Sequence, residues 1–371
     1  MNKEIKVVIG ANYGDEGKGL VTYCLTKEAS RQGRKVLNVL YNGGSQRGHT
    51  ANGVIHHALG SGTTIGADTY LNQWFMVDPI ALWLEQAEVY IHPSCRLVLP
   101  CDVVNNQQKE LERGEKKHGS CGMGIYEACL RSSFPEYNLK VSDLYDIPNL
   151  YDKLIRVEKK FGYPKDLVYN NENFMRAAKW VSNNCNPFEN EERLFDYFDT
   201  IIFEGGQGLL LDQIHIDKTK NLTPSSPGIR NCISAINKCG IQPDLFYVSR
   251  TYQTRHGVGE MENECHKDNI NALIEDETNQ PNPWQDTIRY GYLDPEKLFN
   301  RVSDDVWEYY RNTKKVPKST NIVFTHMNYT CDRIHLPDGT RCRPYIPADE
   351  NSLLISHIYG SDKKDEMDIL I

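Results

Sequence analysis

Short runs of hydrophobic residues alternate along the chain with longer segments in which apolar residues recur every three or four positions. The short runs predict buried strands at 3–9, 35–41, 70–77, 96–99, 200–204, 245–252 and 321–325. The longer segments predict helices at 19–32, 79–86, 102–113, 125–132, 228–239, 269–275 and 295–311. This β-α-β order predicts an α/β fold with a mostly parallel central sheet flanked by helices.

The segment at about 125–198 is rich in helical patterns and acidic residues, and it predicts a helix-rich subdomain, a helical insertion on the sheet. Asn52-Gly53 separates two short apolar runs and predicts a hairpin, one of several small antiparallel excursions. No internal repeat, low-complexity tract or Pro/Ser-rich linker interrupts the pattern. The 371 residues are therefore expected to form a single domain, 1–371.

Composition narrows the class of protein. The net charge is −8 and no long basic run occurs, so nucleic-acid binding through a basic face is not expected. No apolar stretch approaches the length of a membrane span and no signal-peptide pattern is present, which favours a cytoplasmic protein without a membrane partner. Eleven cysteines without a C-x-x-C spacing favour reduced thiols over a disulfide framework.

The stretch Val7–Lys18 reads VVIGANYGDEGK, a short strand followed by a glycine-rich loop and the start of a helix. Unpaired N–H groups at a helix N-terminus suit phosphate, and Lys18 adds a cation. The loop also carries Asp15 and Glu16, which would repel phosphate unless a metal neutralises them or one acts as a base. A glycine-rich turn with solvated acids is the alternative interpretation. The Walker pattern is absent, because Asn12 replaces its first glycine.

Further glycine-rich loops follow predicted strands, and ligands of open α/β sheets bind beyond the carboxyl ends of the strands. The loops begin at Gly10, Gly43, Gly205 and Gly257. They predict one cleft lined by Asp15, His49, Gln207 and Arg255. An acid, an imidazole, a phosphate loop and a carboxamide indicate phosphoryl transfer coupled to removal of a proton.

Seven short motifs carry a resemblance to a known family. In chain order they are GDEGKG (Gly14–Gly19), GHT (Gly48–Thr50), GSCGMG (Gly119–Gly124), FEGGQG (Phe203–Gly208), TPSS (Thr223–Ser226), TRHGVG (Thr254–Gly259) and RYGYLD (Arg289–Asp294). With these motifs the chain resembles the adenylosuccinate synthetases over most of its length. The resemblance implies a Mg²⁺-dependent ligase that works as a homodimer.

The resemblance also implies the chemistry. Asp15 would take the proton from N1 of a 6-oxopurine nucleotide, and the 6-oxygen would attack the γ-phosphate of a nucleoside triphosphate. The amine of L-aspartate would then displace phosphate from C6. His49 would stabilise the transferred phosphoryl group, and Asp15 with the Gly48 carbonyl would bind the metal. Phosphorylation of the 6-oxygen suits the displacement at C6, because it turns a poor leaving group into a good one.

The binding residues follow from the same motifs. For the triphosphate the resemblance implies Asn12, Gly14, Asp15, Glu16, Gly17, Lys18, Gly19, Gly48, His49, Thr50, Asn328 and Gly360. For the substrate nucleotide it implies Asp15, Ser45, Gln46, Ser120, Cys121, Arg131, Gln207, Thr223 and Ser225. Arg131 lies nearest the arginine that the family places on the phosphate of a twofold partner's substrate; a solvated helix residue is the alternative. For aspartate it implies Thr287 and Arg289.

One departure from the family bears on the phosphoryl donor. The family usually reads the guanine of GTP with a Lys-x-Asp motif, whose carboxylate accepts from the two guanine donors. Here His326 and neutral Asn328 stand in those places. A site that loses its charged acceptor favours an adenine donor, ATP or dATP. Weak guanine recognition by Asn328 is the alternative.

Other departures bear on the substrate nucleotide. Ser45-Gln46-Arg47 replaces a His or Asn followed by Asn-Ala, and Ser120-Cys121 replaces paired threonines. The run at 286–289 lacks at least one arginine that contacts the ribose hydroxyls, which fits a 2′-deoxy substrate. Together these changes resemble the bacteriophage branch of the family, which condenses aspartate with dGMP to N6-succino-2-amino-2′-deoxyadenylate for 2-aminoadenine DNA. The location would then be the host cytoplasm.

Two other functions remain open. One is the ordinary reaction of the family with IMP, aspartate and GTP. The other is a nucleotide-binding protein without catalysis, which the retained Asp15 and His49 disfavour. Three residues remain candidates for the contact to the purine 2-amino group: Ser45, Gln46 and Ser225.

Overall fold

The computed structural model describes residues 2–215, 221–274, 283–284, 287–345, 355–361 and 367–369. Asp286, at the start of the shortened aspartate and ribose loop, lies outside these residues.

A central sheet runs through the described residues. Its strands in chain order are β1 (Glu4–Gly10), β2 (Val36–Leu40), β5 (Asp68–Leu71), β6 (Tyr90–Ile91), β7 (Asn186–Pro187), β8 (Thr200–Gly208), β9 (Asp244–Arg250), β13 (Ser319–Thr325), β16 (His357–Gly360) and β17 (Asp368–Ile369). Their order across the sheet is β17-β16-β13-β9-β1-β8-β2-β5-β6-β7. All neighbours pair in parallel except β16 with β17.

Three small antiparallel sheets lie outside the central sheet in the described residues. They are formed by β3 (His49–Ala51) with β4 (Val54–His56), by β10 (Gln253–Arg255), β11 (Glu264–Cys265) and β12 (Arg289–Gly291), and by β14 (Ile334–His335) with β15 (Arg341–Cys342). The β3–β4 hairpin turns at Asn52-Gly53, which confirms that prediction.

The helices flank the central sheet. They are α1 (Lys18–Arg31), α2 (Pro79–Glu85), α3 (Pro100–Arg113), α4 (Ile125–Ser132), α5 (Ile147–Phe161), α6 (Asn171–Asn184), α7 (Glu191–Phe195), α8 (Ile233–Cys239), α9 (Lys267–Asn271) and α10 (Pro295–Thr313). Local sequence fixes several helix starts. Asp78 accepts hydrogen bonds from the backbone N–H groups of Ile80 and Ala81, and Pro79 occupies the first turn of α2.

The core is built on both faces of the central strands, because successive side chains of a strand point to opposite faces. Val7 and Ile9 of β1 pack in a cluster with residues of α8 and α10, whereas Val8 packs with Val21 and Leu25 of α1. A separate cluster joins the β5–β6 side of the sheet to α5 and α6. The α/β fold with a mostly parallel, helix-flanked sheet is thereby confirmed. The extent of the helix-rich subdomain at about 125–198 stays a prediction.

Some predicted boundaries are wrong. The predicted strand at 96–99 is not a strand; Leu97 makes only an isolated bridge to Val77, and the sheet continues beyond β5 through the two-residue strands β6 and β7. Such short strands carry too little periodicity to be recognised. The predicted strand at 200–204 continues as far as Gly208, because Gly208 at the end of the EGGQG motif still pairs with Gly10 of β1.

Candidate active site

The carboxyl ends of β1, β8, β9, β2 and β13 lead into the loops that carry most of the predicted site residues. The loop after β1 turns through left-handed backbone at Gly14, Asp15 and Gly17, with φ of 133°, 59° and 92°. Gly19 allows α1 to pass close to the histidine of the GHT motif, since a Cβ there would lie 2.8 Å from the Cβ of His49. Two motifs that are thirty residues apart are thereby brought together.

The glycine-rich loop encloses the carboxylate of Glu16. Its Oε1 accepts hydrogen bonds from the backbone N–H groups of Asn12 (3.1 Å) and Gly14 (2.8 Å), and its Oε2 lies 2.6 Å from Lys18 Nζ. Glu16 and Lys18 are both buried. Backbone N–H groups and a lysine are the groups that bind phosphate in such loops. In the described structure the Glu16 carboxylate therefore engages donors of the kind that bind phosphate.

Two arginines that sequence reasoning missed hold this loop. Arg301 of α10 donates from Nε to the Ala11 carbonyl and from Nη2 to Asn12 Oδ1, at 3.1 and 2.6 Å. Arg250, at the end of β9, donates from Nε to the Asp15 carbonyl at 2.6 Å. Both contacts span more than 200 residues of sequence, so no local signal could have revealed them.

Asp15 lies at the edge of the cleft with a side chain that is 23% exposed. Its Oδ2 is 3.2 Å from Nε2 of His256, in the TRHGVG motif. The Nδ1 of His256 is buried and has no partner among the described residues. His256 was part of a recognised motif but was not among the predicted site residues. The structure adds it to the site as a neighbour of the predicted base.

The imidazole of His49 contacts the buried carboxylate of Glu204. Its Nδ1 lies 2.6 Å from Glu204 Oε1 and 2.8 Å from Arg47 Nη2, and Arg47 Nη2 is itself 2.6 Å from Glu204 Oε1. Both the backbone N–H and the hydroxyl of Ser61 also donate to Glu204. The imidazole is thereby fixed at one nitrogen, while Nε2 on the other side of the ring has no partner in the described structure.

These contacts determine the protonation states of His49 and Glu204. Burial, reinforced by the Arg47 guanidinium, lowers the pKa of His49 to about 4. Burial alone would raise the pKa of Glu204, but Arg47 and the hydrogen bonds from His49 and Ser61 outweigh it and hold this pKa at about 2. At neutral pH the group therefore consists of a carboxylate, a guanidinium and a neutral imidazole.

Several predicted substrate residues meet around Gly43. Ser225 accepts from the Gly43 N–H at 3.3 Å, and the carboxamide of Gln207 accepts from Asn42 Nδ2 at 2.6 Å. A Cβ on Gly43 would lie 2.5 Å from Gln207 Nε2 and 2.9 Å from Gln46 Nε2. The Gln46 Oε1 and the hydroxyl of the preceding Ser45 are buried without a partner among the described residues. The structure thus brings these four predicted residues to one place.

The GSCGMG loop lies against the TRHGVG loop. Gly119 has no room for a side chain, since a Cβ there would lie 2.6 Å from the Cα of Gly257. The hydroxyl of Ser120 accepts from Asn106 Nδ2 at 2.9 Å, and burial raises the pKa of the Cys121 thiol. Thr223 is anchored through its backbone N–H to the Leu211 carbonyl. No hydrogen bond in the described residues joins Ser120, Cys121 or Thr223 to the group around Gly43.

The contacts of Arg131 differ from those predicted for it. Its side chain is buried, and it forms an ion pair with Asp102 at 2.8 Å. The remaining donors reach the carbonyls of Tyr137 and Leu97, both at 2.6 Å. A guanidinium whose three nitrogens all have partners inside one chain cannot reach across an interface to a phosphate. Both the predicted phosphate contact and the alternative of a solvated helix residue are therefore wrong.

The predicted aspartate residues lie beside the TRHGVG loop. Arg289 donates to the carbonyls of Gly257 and Gly259 at 3.0 and 2.8 Å and pairs with Glu264 at 2.7 Å. In this state the guanidinium organises the loop, and a carboxylate ligand would have to take over one of these contacts. Thr287 is exposed nearby in the chain, two residues before Arg289.

The predicted base site of the triphosphate lies at the end of β13. Thr325 donates to the Glu16 carbonyl at 2.6 Å, and a Cβ on Gly17 would lie 3.2 Å from Thr325 Cγ2. Asn328 is exposed three residues later, and Gly360 ends β16 as the pairing partner of Phe324. Asn328 and Gly360 therefore border the phosphate loop on its β13 side. The exposed Gly48 and Thr50 border it on the other side, next to His49.

The predicted metal ligands suit Mg²⁺. No group of three His, Cys, Asp or Glu side chains in the described residues could enclose an ion. Mg²⁺ usually binds through one or two protein oxygens, with water and phosphate supplying the others. A partly exposed carboxylate at Asp15 and the backbone carbonyl of the exposed residue Gly48 match that donor set.

Comparison with known proteins assigns the chain to a family. The family model for adenylosuccinate synthetase matches residues 7–302, which is most of the chain. The chain belongs to the adenylosuccinate synthetase family. Its similarity to curated adenylosuccinate synthetases is 27% identity over 298 residues for Clostridium perfringens and 26% over 304 residues for Acaryochloris marina. These matches cover 70% and 72% of the chain, and 66% and 64% of the two relatives.

Solved structures share the fold of this family member. The fully ligated adenylosuccinate synthetase of Plasmodium falciparum superposes with a TM-score of 0.68 at 17% identity, covering 100% of this chain and 87% of that one. The succinoaminodeoxyadenylate synthetase of cyanophage S-2L, bound to dGMP and dATP as an energy donor, gives 0.60 at 15% identity, covering 99% and 95%. No helix in the described residues has the length and apolar character needed to cross a membrane.

Proposed function

We propose that this protein is a ligase that joins L-aspartate to C6 of dGMP, driven by ATP or dATP. The product is N6-succino-2-amino-2′-deoxyadenylate, a precursor of 2-aminoadenine DNA. The observation that carries the proposal is the convergence of Asp15, His49 and the loop that encloses Glu16 on the carboxyl edge of the sheet. The cyanophage enzyme, which shares this fold, binds the same pair of nucleotides.

In the proposed reaction, Asp15 accepts the N1 proton of the purine and so makes the 6-oxygen nucleophilic. The γ-phosphoryl group lies between the glycine-rich loop and His49. Its negative charge favours the protonated ring, which donates from Nδ1 to Glu204 and from Nε2 to a phosphoryl oxygen. A bound Mg²⁺, held by Asp15 and the Gly48 carbonyl, would supply charge neutralisation for the triphosphate. Aspartate, positioned near Arg289 and Thr287, then displaces phosphate from C6.

The proposed donor follows from Asn328, which lacks the negative charge that would hold the two guanine donors. The proposed preference for deoxyribose follows from the shortened run at 286–289, which lacks at least one arginine that contacts the ribose hydroxyls in the family. By the same resemblance we place the enzyme in the cytoplasm, that of a host cell if a phage encodes it, and expect a homodimer.

The retained Asp15 and His49 also support a second candidate, the ordinary reaction with IMP and GTP that gives the curated relatives their name. Phosphate release separates the two. Purified protein with Mg²⁺ and aspartate is given dGMP or IMP, each with ATP, dATP or GTP. Turnover with dGMP and an adenine donor supports the proposal, whereas turnover confined to IMP with GTP refutes it.

A further inference from the structure

Arg47 places a permanent cation in the interior beside His49. Its side chain is 0% exposed, as is that of Glu204, whereas the His49 side chain is 10% exposed. One guanidinium nitrogen, Nη2, contacts both neighbours, at 2.6 Å from Glu204 Oε1 and 2.8 Å from His49 Nδ1. The residues that the resemblance places here in the family are smaller and uncharged, so this contact is a feature of the present chain.

The other two guanidinium nitrogens of Arg47 have no hydrogen-bond partner among the described residues. Nε and Nη1 of Arg47 are buried and form no hydrogen bond within the described residues. Burying a charged group with unpaired donors is costly, and the expected compensation is a close ion pair. The pair with Glu204 is the one ion pair that Arg47 forms in the part of the chain described. The energetic reason for Arg47 to lie here is therefore the contact with Glu204 and His49.

The backbone of Arg47 is fixed as well. Its carbonyl accepts a hydrogen bond from His57 Nδ1 at 2.6 Å, and its N–H donates to the Gly44 carbonyl at 3.2 Å. The side chain therefore extends inward from a fixed point of the GHT loop. It links that loop, which carries His49, to the strand β8, which carries Glu204.

We propose that Arg47 is a positioning residue for the ligase reaction: its guanidinium locks Glu204 against His49 and so holds the imidazole with Nε2 towards the reacting phosphoryl group. This inference rests on the proposed function. Glu204 also accepts from the Ser61 N–H at Oε2 and from the Ser61 hydroxyl at Oε1, so without Arg47 the carboxylate keeps a partner that competes with the ring for Oε1. The ring would then lose its fixed orientation while the nucleotide-binding loops stay in place.

An ammonium group should not substitute fully for the guanidinium. Nη2 approaches Glu204 and His49 simultaneously because it is part of a rigid planar group, whereas lysine presents one flexible point charge. Arg47→Lys therefore tests geometry at constant charge, and Arg47→Ala tests removal. The alanine variant also leaves a cavity that added guanidinium ion can enter. Arg34→Ala is the matched control, since Arg34 is another buried arginine, with partners Thr200, Asn2 and Asp199 remote from His49.

The first test is steady-state kinetics with dGMP, aspartate and dATP. Arg47→Ala is expected to lower kcat by about 10- to 100-fold, as for other groups that orient a reacting residue, with little change in KM for either nucleotide. Millimolar guanidinium chloride should restore part of this kcat, and Arg47→Lys should fall between the two. Arg34→Ala should lose thermal stability without a comparable loss of kcat and without guanidinium rescue. Unchanged kcat in both Arg47 variants would overturn the proposal.

The second test needs no turnover. In histidine-labelled, ligand-free protein, the ring signals of His49 are assigned by their loss in His49→Gln. Wild type and Arg34→Ala should show one sharp set, whereas Arg47→Ala should show it shifted or broadened, and guanidinium should reverse the change. An unshifted, sharp set in Arg47→Ala would overturn the positioning role. Absence of wild-type turnover with every nucleotide pair would instead refute the proposed function, which keeps the two failures distinguishable.

Discussion

Nε2 of His256 lies 3.2 Å from Oδ2 of Asp15, so the predicted base and metal ligand has a histidine beside it. The contact is a hydrogen bond when the ring proton sits on Nε2. It joins the loop after β1 to the TRHGVG loop, and it leaves one carboxylate oxygen of Asp15 for other contacts. We infer that His256 fixes which way this carboxylate faces.

Removing His256 should therefore impair catalysis more than folding. His256→Ala is expected to reduce kcat by about 10- to 100-fold, because partners that orient a metal ligand typically contribute that much. The thermal unfolding midpoint should change little, since the side chain is partly exposed. Steady-state phosphate release and thermal denaturation measure the two effects.

The control for this variant is His266→Ala. His266 also lies next to an aspartate, Asp268, at 3.3 Å, but on an exposed surface. Its removal should leave kcat unchanged. Equal kcat values for His256→Ala and wild type would show that the Asp15 contact has no catalytic role.

The Glu16 carboxylate should compete with phosphate for the glycine-rich loop. In Glu16→Gln the negative charge is gone, and Lys18 loses its buried ion-pair partner, which costs on the order of 3–5 kcal/mol when a pair is broken. The ligand-free variant should therefore unfold at lower temperature, while ATP and Mg²⁺ should stabilise it by a larger shift than wild type. Thermal unfolding with and without nucleotide measures both. A nucleotide-induced shift no larger than that of wild type would contradict the competition.

Asn328 should determine the choice of phosphoryl donor. Asn328→Asp restores the carboxylate that accepts from the guanine N1–H and amino group. The ratio of kcat/KM for GTP over ATP should rise by about 10- to 100-fold, since a hydrogen bond to a charged group contributes about 1.5–3 kcal/mol. Donor competition in the phosphate-release assay gives the ratio directly. If the ratio stayed at the wild-type value, the residues at the end of β13 would not read the base.

A buried carboxylate should make stability pH-dependent. Burial raises the pKa of Asp305 to about 7, although the side chain accepts hydrogen bonds from Tyr247 and the Ile229 N–H. Because the folded pKa lies above the unfolded one, the stability it contributes is complete below about pH 4 and is lost as the pH rises through 7. A shift of about three pKa units, at about 1.4 kcal/mol per unit, makes that loss on the order of 4 kcal/mol.

Asp305→Asn should remove this dependence. The amide oxygen can still accept from Ile229, and the amide N–H can donate to the Tyr247 hydroxyl. Urea unfolding at pH 5 and pH 8 should show a smaller drop in the free energy of unfolding for the variant than for wild type. The difference between the two proteins isolates Asp305 from the other carboxylates. Parallel pH profiles would mean that Asp305 does not titrate in this range.

Local patterns were enough for the parts of the fold that make the cleft. The strand and helix around the glycine-rich loop were predicted at 3–9 and 19–32 and are observed at Glu4–Gly10 and Lys18–Arg31. The carboxyl-edge rule for parallel strands then placed several glycine-rich loops at one end of the sheet. Two-residue strands such as β6 escaped prediction because they show no periodicity.

The partners of the site residues could not be predicted in this way. Glu204 meets His49 because β8 lies beside β2, with Glu204 in register with Leu40, and this pairing is a property of the whole sheet. Arg131 was misassigned for the same kind of reason, since its partner Asp102 lies on another helix. A sequence position shows that an arginine is present, whereas only the packing shows whether its donors are already engaged.

The proposed reaction requires that the purine 6-oxygen attacks the γ-phosphate and leaves C6 as part of the released phosphate. The most direct measurement uses dGMP labelled with ¹⁸O at the 6-oxygen, with aspartate, Mg²⁺ and dATP, and follows the released phosphate by its ³¹P isotope shift. The account predicts that the label appears in phosphate, one atom per product formed. Product formed together with unlabelled phosphate would contradict it.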